Sequence, residues 1–286
     1  MMVFTFLSGK AEHLSFATGM ILNALLLFLI TQYSRKEVGT YKYLLMVFVL
    51  NDMLFLCTEQ LTKVRLVVLD RMWAMVSTGT LAYNKHFNCI YCGVYSFSFT
   101  LIDYHFLYRY WAIKYPSRLV YFSKPSFICA LLACTATLSG TWYAVTFYAN
   151  VPNSHAIADL VATTNGRFQF DNYETAWTLG EYSRNGSLNW ITTGGFCYYV
   201  TILSICFNFM AICGIAIYRL LQSTELISAK SRRLQMQLLA SLTAQGPSRL
   251  GDIIMTGAGL FPAADAVAVI LLMGDYRRAV ERVLCP

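Results

Sequence analysis

Residues 190–218 read WITTGGFCYYVTILSICFNFMAICGIAIY, a run without a single Asp, Glu, Lys or Arg. A run this long decides the solvent, because a bilayer core of ~30 Å is crossed by ~20 helical residues. Residues 14–33 and 126–149 are equally free of charge and each is long enough to span. In all three blocks the apolar residues are contiguous rather than set at about 3.6-residue intervals, so they are not one face of a water-exposed helix. Composition agrees: of 286 residues, 57% are hydrophobic and 13% charged, about half the charged share of an ordinary soluble domain.

Two further blocks, 43–61 and 87–110, have spanning length but carry Asp52 and Glu59 in the first and Asp103 and His105 in the second. Ionisable groups in hydrocarbon face a bundle interior, so these blocks predict several helices around a polar seam rather than a lone anchor. Asp52 and Glu59 fall on one face of their helix. Such carboxylates bind an ion, switch by protonation, or hydrogen-bond helices together at ~1 kcal/mol per bond. The start, MMVFTFLSGK, has no basic region and too short an apolar run for a cleaved signal, so the first span is expected to act as its own insertion signal.

Nine cysteines would suggest a disulfide framework in a small secreted chain. Here Cys57, Cys129, Cys134, Cys206 and Cys213 lie inside apolar blocks as small residues. Cys89 and Cys92 have metal-like spacing but no second pair or histidine at a suitable distance, and are expected to line the third span. The formal charge of +7 has no basic domain to carry nucleic-acid binding. Neither a nucleophile–base pair nor a metal constellation suggests an enzyme, and no cofactor is expected.

Lys and Arg set topology in membrane proteins. Fourteen lie in alternate connections: Arg35, Lys36 and Lys42; Arg109, Lys114, Arg118 and Lys124; Arg219, Lys230, Arg232 and Arg233; Arg277, Arg278 and Arg282. The opposite set holds seven: Lys10, Lys63, Arg65, Arg71, Lys85, Arg167 and Arg184. The first set is expected in the cytoplasm and the N-terminus outside. Asn185, Gly186 and Ser187 form an N-glycosylation acceptor in the polar stretch 150–189, on the side the charges place outside. Cys285, after a short basic tail, is either palmitoylated or a plain thiol.

Four stretches then carry a resemblance: GTYKYLL at 39–45, HFLYRY at 105–110, LQMQLLASL at 234–242 and FPAADAVAVILLMGDYRR at 261–278. In that order they resemble motifs of the nematode serpentine chemoreceptors of the Str type, which are rhodopsin-like G-protein-coupled receptors. The resemblance implies a seven-helix receptor in the plasma membrane of sensory neurons or their cilia. It further implies small odorant-like chemicals as ligands, a pocket between the outer helix halves, and a heterotrimeric G protein inside. A disulfide from the third span to the long outer loop, common in rhodopsin-like receptors, is excluded because 150–189 contains no cysteine.

Arg109 lies at the cytoplasmic mouth of the third span between Tyr108 and Tyr110, with His105 one helical turn earlier. Rhodopsin-like receptors place an acid before the matching arginine; here that residue is Tyr108. Arg109 therefore needs a carbonyl, a tyrosine hydroxyl or a carboxylate elsewhere. As a bare topology anchor it would instead snorkel to headgroups, and the resemblance favours G-protein contact through His105, Tyr108, Arg109 and Tyr110. Tyr91, Tyr95, Tyr198 and Tyr199, on the outer halves of the third and fifth spans, are the candidate ligand pocket. Asp265 follows Pro262 at the usual kink of a seventh helix. The acids Asp52, Glu59, Asp103 and Asp265 also suggest the alternative reading, a multi-span transporter or ligand-gated channel, although no paired interrupted helices occur in two halves of the chain.

The pattern breaks near Gln245. Residues 236–244 would reach only ~14 Å as a helix, about half a bilayer, before Gly246 and Pro247. The expected fold is thus an all-α membrane protein, one domain over 1–286, whose seven-transmembrane receptor bundle has a truncated sixth helix. Its spans are 14–33, 43–61, 87–110, 126–149 and 190–218, then a stub over 236–245 and a last span over 252–274. Counting six full crossings, an outer N-terminus would put the basic tail on the wrong side, and flipping the protein would put Asn185 in the cytosol. A missing exon, a decayed receptor and a real short variant would each give this sequence.

Overall fold

The computed structural model describes residues 9–34, 39–69, 71–81, 84–151, 154–163, 177–184, 186–223 and 261–272, with Tyr276 and Val280. Their order is α1 (Gly9–Tyr33), α2 (Tyr41–Thr62), β1 (Val64–Leu69), β2 (Met72–Ser77), α3 (Lys85–Lys114), a 3-10 helix (Pro116–Ser123), α4 (Pro125–Ala149), α5 (Ser154–Thr163), β3 (Trp177–Glu181), β4 (Ser183–Arg184), β5 (Ser187–Leu188), α6 (Trp190–Ser223) and α7 (Phe261–Leu272). The five expected spans before the break all fall within helices. The proposed stub at 236–245, Asn185 and Cys285 lie outside the described residues.

Local signals set the helix ends. Asn84 caps α3 by accepting from His86 N at 2.9 Å, satisfying one orphan donor of the first turn. Pro125 opens α4, where a missing N–H carries no penalty. Lys63 closes α2 in the left-handed region at φ 46° and ψ 55°, its N–H returning to Glu59 O.

Among the described residues, helical segments from Glu12–Tyr33, Tyr41–Thr62, Pro125–Ala149 and Trp190–Gln222 are long and apolar enough to cross a membrane. The outer wall is inverted relative to a soluble protein. On α4 the buried residues are Thr135, Trp142, Thr146 and Ala149, while Ile128 and Leu132 are exposed. Its polar and small groups thus turn inward and its aliphatic side chains turn out, as lipid requires. The α3 helix is more polar than the others because it is central. It packs against α2, α4 and α6 and buries Asn88, Ser96, Ser98, Thr100, His105 and Arg109 in protein.

Contacts fix the helix directions. Tyr104 Oη donates to Leu131 O at 2.9 Å and Ser96 Oγ to Ser139 Oγ at 3.2 Å, so α3 and α4 are antiparallel. Phe99 meets Phe207 with ring centroids 5.9 Å apart, and Gly214 lies against Phe106, so α6 runs parallel to α3. Asn23 Nδ2 donates to Pro262 O at 3.0 Å, and Ser34 Oγ lies 2.9 Å from Tyr276 Oη. The last helix is therefore parallel to α1. Both α6 and α7 run in the direction of α1, the relation expected of the odd-numbered helices of a seven-helix bundle.

One end of the bundle carries an element that the sequence reading treated only as polar connections. Strands β1, β2 and β3 form an antiparallel sheet in that order, with Val64 opposite Ser77 and Trp73 opposite Gly180. Met72, Ala74, Val76 and Leu179 make its buried core with Ala156 of α5. Gly79 seats the hairpin on α2, because a Cβ there would lie 2.1 Å from Leu61 O. Ser77 Oγ donates to Thr62 O beside it.

Candidate functional site

At the end opposite the sheet, α2 begins where α3 delivers Arg109. Arg109 is 3% exposed. Its Nε donates to Tyr41 Oη at 3.1 Å, and its guanidinium carbon lies 4.5 Å from the centroid of the Tyr41 ring. His105, one turn earlier on the same face, brings Nδ1 to 2.9 Å from that hydroxyl. Phe48 covers His105 edge-on at 5.3 Å. The missing acid before Arg109 is thus replaced by a tyrosine hydroxyl on a neighbouring helix, one of the partners the sequence left open. Arg109 Nη1 is buried without a hydrogen-bond partner among the described residues.

Tyr108 turns to the start of α2, where its hydroxyl lies 2.9 Å from Thr40 Oγ1, and its ring meets Phe122 at 4.9 Å. Tyr110 points elsewhere, accepting from Lys114 Nζ at 2.9 Å. The four residues HFLYRY offers as a switch therefore divide. His105, Tyr108 and Arg109 converge on α2, and Tyr110 lies outside that cluster. Tyr41, within GTYKYLL, is the residue that sequence reasoning missed; the pairing of its motif with HFLYRY at one end of the bundle was the available signal. Around this end Arg118 lies 4.4 Å over the Tyr115 ring and Lys124 4.7 Å over Tyr121, the cation–aromatic girdle of a membrane interface.

Asp52 and Asp265 are each 2% exposed. Beside Asp52, Asn51 Nδ2 donates to Ser98 Oγ at 2.7 Å, tying α2 to α3. Asp103 lies against Cys206 of α6. Glu59 accepts from Tyr91 Oη at 3.2 Å near the sheet. There Arg65 reaches Glu12 and Lys63 lies 3.9 Å from it. Burial pushes the Arg65 guanidinium below its ordinary range, opposed by Tyr91.

The pocket tyrosines form two groups. Tyr91 and Tyr95 pack on Phe55 of α2 at 5.4 and 6.0 Å. Tyr198 and Tyr199 face α4, their hydroxyls 2.6 Å from Thr141 Oγ1 and 2.8 Å from Thr146 Oγ1. The structure brings each pair together and sets the pairs on different sides of α3.

Parallel odd-numbered helices, a polar interior and an apolar exterior define a multi-pass membrane protein. Over residues 8–248 the chain matches the family described as serpentine type 7TM GPCR chemoreceptor Str, and it belongs to that family, whose members are receptors rather than enzymes. It is 23% identical to serpentine receptor class r-10 of Caenorhabditis elegans over 283 positions, covering 87% of this chain and 83% of the relative. The r-10 receptor of Caenorhabditis briggsae is also 23% identical, over 314 positions that cover 98% of this chain and 91% of the relative. G-protein coupled receptor str-33 of C. elegans is 21% identical, with 96% and 90% covered. Pairing 98% of a 286-residue chain over 314 positions leaves more than thirty positions at which this chain has no residue.

Proposed function

We propose that this chain is a chemosensory receptor for small odorant-like chemicals that signals through a heterotrimeric G protein. Family membership carries the reading, and the arginine cluster supports it. Arg109 does not snorkel as a bare anchor; it is held against Tyr41 at the end where the resemblance places the G protein. In this reading the sheet and the N-terminus face outside, Asn185 is glycosylated, and the Arg109 end is cytoplasmic, in the membrane of sensory cilia. The whole chain works as one domain. Asp52, Asp103 and Asp265 hold helices together, while Glu59 with Tyr91 and Tyr95, or Tyr198 with Tyr199, contacts the ligand.

Most of the sixth helix is missing from the product in this proposal. The apolar stub before Gly246 is too short to span as one helix, and the r-10 relative has more than thirty positions at which this chain has no residue. Activation is expected to move that helix away from α3, so the 286-residue product signals weakly or not at all. Sequencing the native transcript is the first test, with an added segment of about 20 to 35 residues near Gln245 expected. A transcript identical to this sequence, with full surface expression and normal G-protein activation, overturns the truncation. The receptor reading is tested by expressing the native product in reporter cells with an odorant panel; ligand-driven current that persists under complete G-protein block points to a channel instead.

A further inference from the structure

At the Arg109 end, three exposed cations are fixed on aromatic rings. Lys114 ends α3, the 3-10 helix carries Arg118, and Lys124 stands one residue before α4. Lys114 Nζ lies 5.2 Å and the Arg118 guanidinium carbon 4.4 Å from the centroid of one ring, that of Tyr115. Arg118 also lies 6.0 Å from the centroid of Trp111, whose ring meets Tyr121 at 6.3 Å, and Lys124 Nζ is 4.7 Å over Tyr121. The three cations therefore stand along one continuous aromatic row.

An aromatic face steers a cation but carries no net charge, so the positive charge of the row is not neutralised by it. No Asp or Glu occurs between residues 104 and 158, and among the described residues none of the three cations is ion-paired. Hydrogen bonds from the ammonium to the hydroxyls of Tyr110 and Tyr115 hold Lys114 above its ordinary range, so it stays charged. The row is also at the right depth for lipid. Lys124 directly precedes Pro125–Ala149, a helix long and apolar enough to cross a membrane, which puts these side chains at the level of the headgroups. Leu119 and Phe122 anchor the 3-10 helix on the apolar cluster that includes Leu45 and Tyr108, leaving Val120 and Tyr121 exposed between Arg118 and Lys124.

We propose that Lys114, Arg118 and Lys124 form a binding site for a phosphorylated inositol lipid, with Val120 and Tyr121 resting on the acyl boundary beside its headgroup. Several phosphates on one ring suit cations spread along the aromatic row, whereas a headgroup with a single phosphodiester reaches fewer of them. Arg118 meets phosphate with its planar fork and Lys114 as a point charge. Both are already positioned by Tyr115, which lowers the ordering cost of binding. The apolar pair on the 3-10 helix separates a lipid from a free inositol phosphate. The site rests on the reading that this end is cytoplasmic, where anionic lipids gather. Binding in detergent does not depend on orientation, and glycosylation at Asn185 reads orientation separately, so the two can fail independently.

The test uses the full chain in a neutral detergent. Native mass spectrometry follows the retention of short-chain phosphatidylinositol bisphosphate, of phosphatidylserine of the same chain length, and of soluble inositol trisphosphate. One bisphosphate lipid per chain is expected, held more tightly than either competitor. Lys114→Gln, Arg118→Gln and Lys124→Gln should each weaken it about fivefold, and Lys114→Gln with Arg118→Gln roughly thirtyfold. Lys85→Gln removes a cation 3.6 Å over the Phe147 ring at the sheet end and should leave binding unchanged. Unfolding midpoints equal to the parent's exclude loss of fold, and Lys124→Gln alone decides the matter if the double variant does not fold. Equal retention of phosphatidylserine reveals only diffuse surface charge, and equal retention of inositol trisphosphate a free-phosphate site; either overturns the proposal. So does unchanged lipid affinity in the glutamine variants, even where they lose binding of a purified G protein, or an equal loss in Lys85→Gln.

Discussion

Tyr41→Phe is the sharpest perturbation of the arginine cluster, because it removes one oxygen and leaves the ring. The phenyl face remains to meet the guanidinium, which lies 4.5 Å from the Tyr41 centroid. What is lost is the acceptor 3.1 Å from Arg109 Nε and the partner 2.9 Å from His105 Nδ1. A buried donor left without its acceptor costs about 1–3 kcal/mol. Hydrogen bonds between membrane helices average nearer ~0.6 and reach ~1.7 kcal/mol. The expected destabilisation is therefore about 1–2 kcal/mol, up to roughly thirtyfold in the unfolding equilibrium. A double-mutant cycle with Arg109→Gln isolates the pair, with a coupling energy of about 0.6–1.7 kcal/mol expected. Reversible unfolding in mixed detergent micelles, followed by helical circular dichroism, supplies the four free energies. A coupling under about 0.3 kcal/mol, the scatter of independent sites, refutes the argument that this hydroxyl holds Arg109.

Arg109→Ala in the native product should abolish most G-protein activation with surface expression retained, and Arg109→Lys should also fail because a lysine has no fork to meet both the hydroxyl and a partner; full signalling in both variants, read by nucleotide exchange, removes the role assigned to Arg109. A Cβ at Gly195 would lie 2.7 Å from Ala149 Cβ and 3.2 Å from Val145 Cγ1, so Gly195→Val should separate α4 from α6 and destabilise by about 1–3 kcal/mol; an unchanged unfolding midpoint contradicts the close approach. Endoglycosidase should sharpen and speed the wild-type band on a gel and leave Asn185→Gln unaffected, and a wild-type band that does not move counts against an outer loop at that position.

The membrane helices were legible because length and apolarity are local properties of the chain. The connections were not. Strand β1 and strand β2 are short, flanked by charges, and the third strand of their sheet lies at Trp177–Glu181, far along the chain; no local period announces a pairing of that reach. The partner of Arg109 was legible as a type of group, a tyrosine hydroxyl among others, but the chain has nineteen tyrosines and only the crossing of α2 and α3 selects Tyr41. The pocket tyrosines show the same limit. Their depth along α3 and α6 was readable, whereas helix rotation, which sends one pair toward Phe55 and the other toward Thr141 and Thr146, depends on neighbours.

The tie between Asn23 and Pro262 bears on the order of assembly. Ribosomes deliver α1 first and α7 last, yet Leu26, Leu29 and Ile30 of α1 share one apolar cluster with Ala266, Val269, Ile270 and Tyr276. The earliest helix therefore enters the bilayer with its final neighbour still unmade, and among the described residues Asn23 then has Gly19 O of its own helix, at 2.9 Å, as the acceptor for its amide. Docking of α7 on α1 is a late event, and among the described residues one side of that interface is already present on the first helix. A nascent chain halted before Phe261 would present that open face to the insertion and quality-control machinery as the mark of an unfinished receptor.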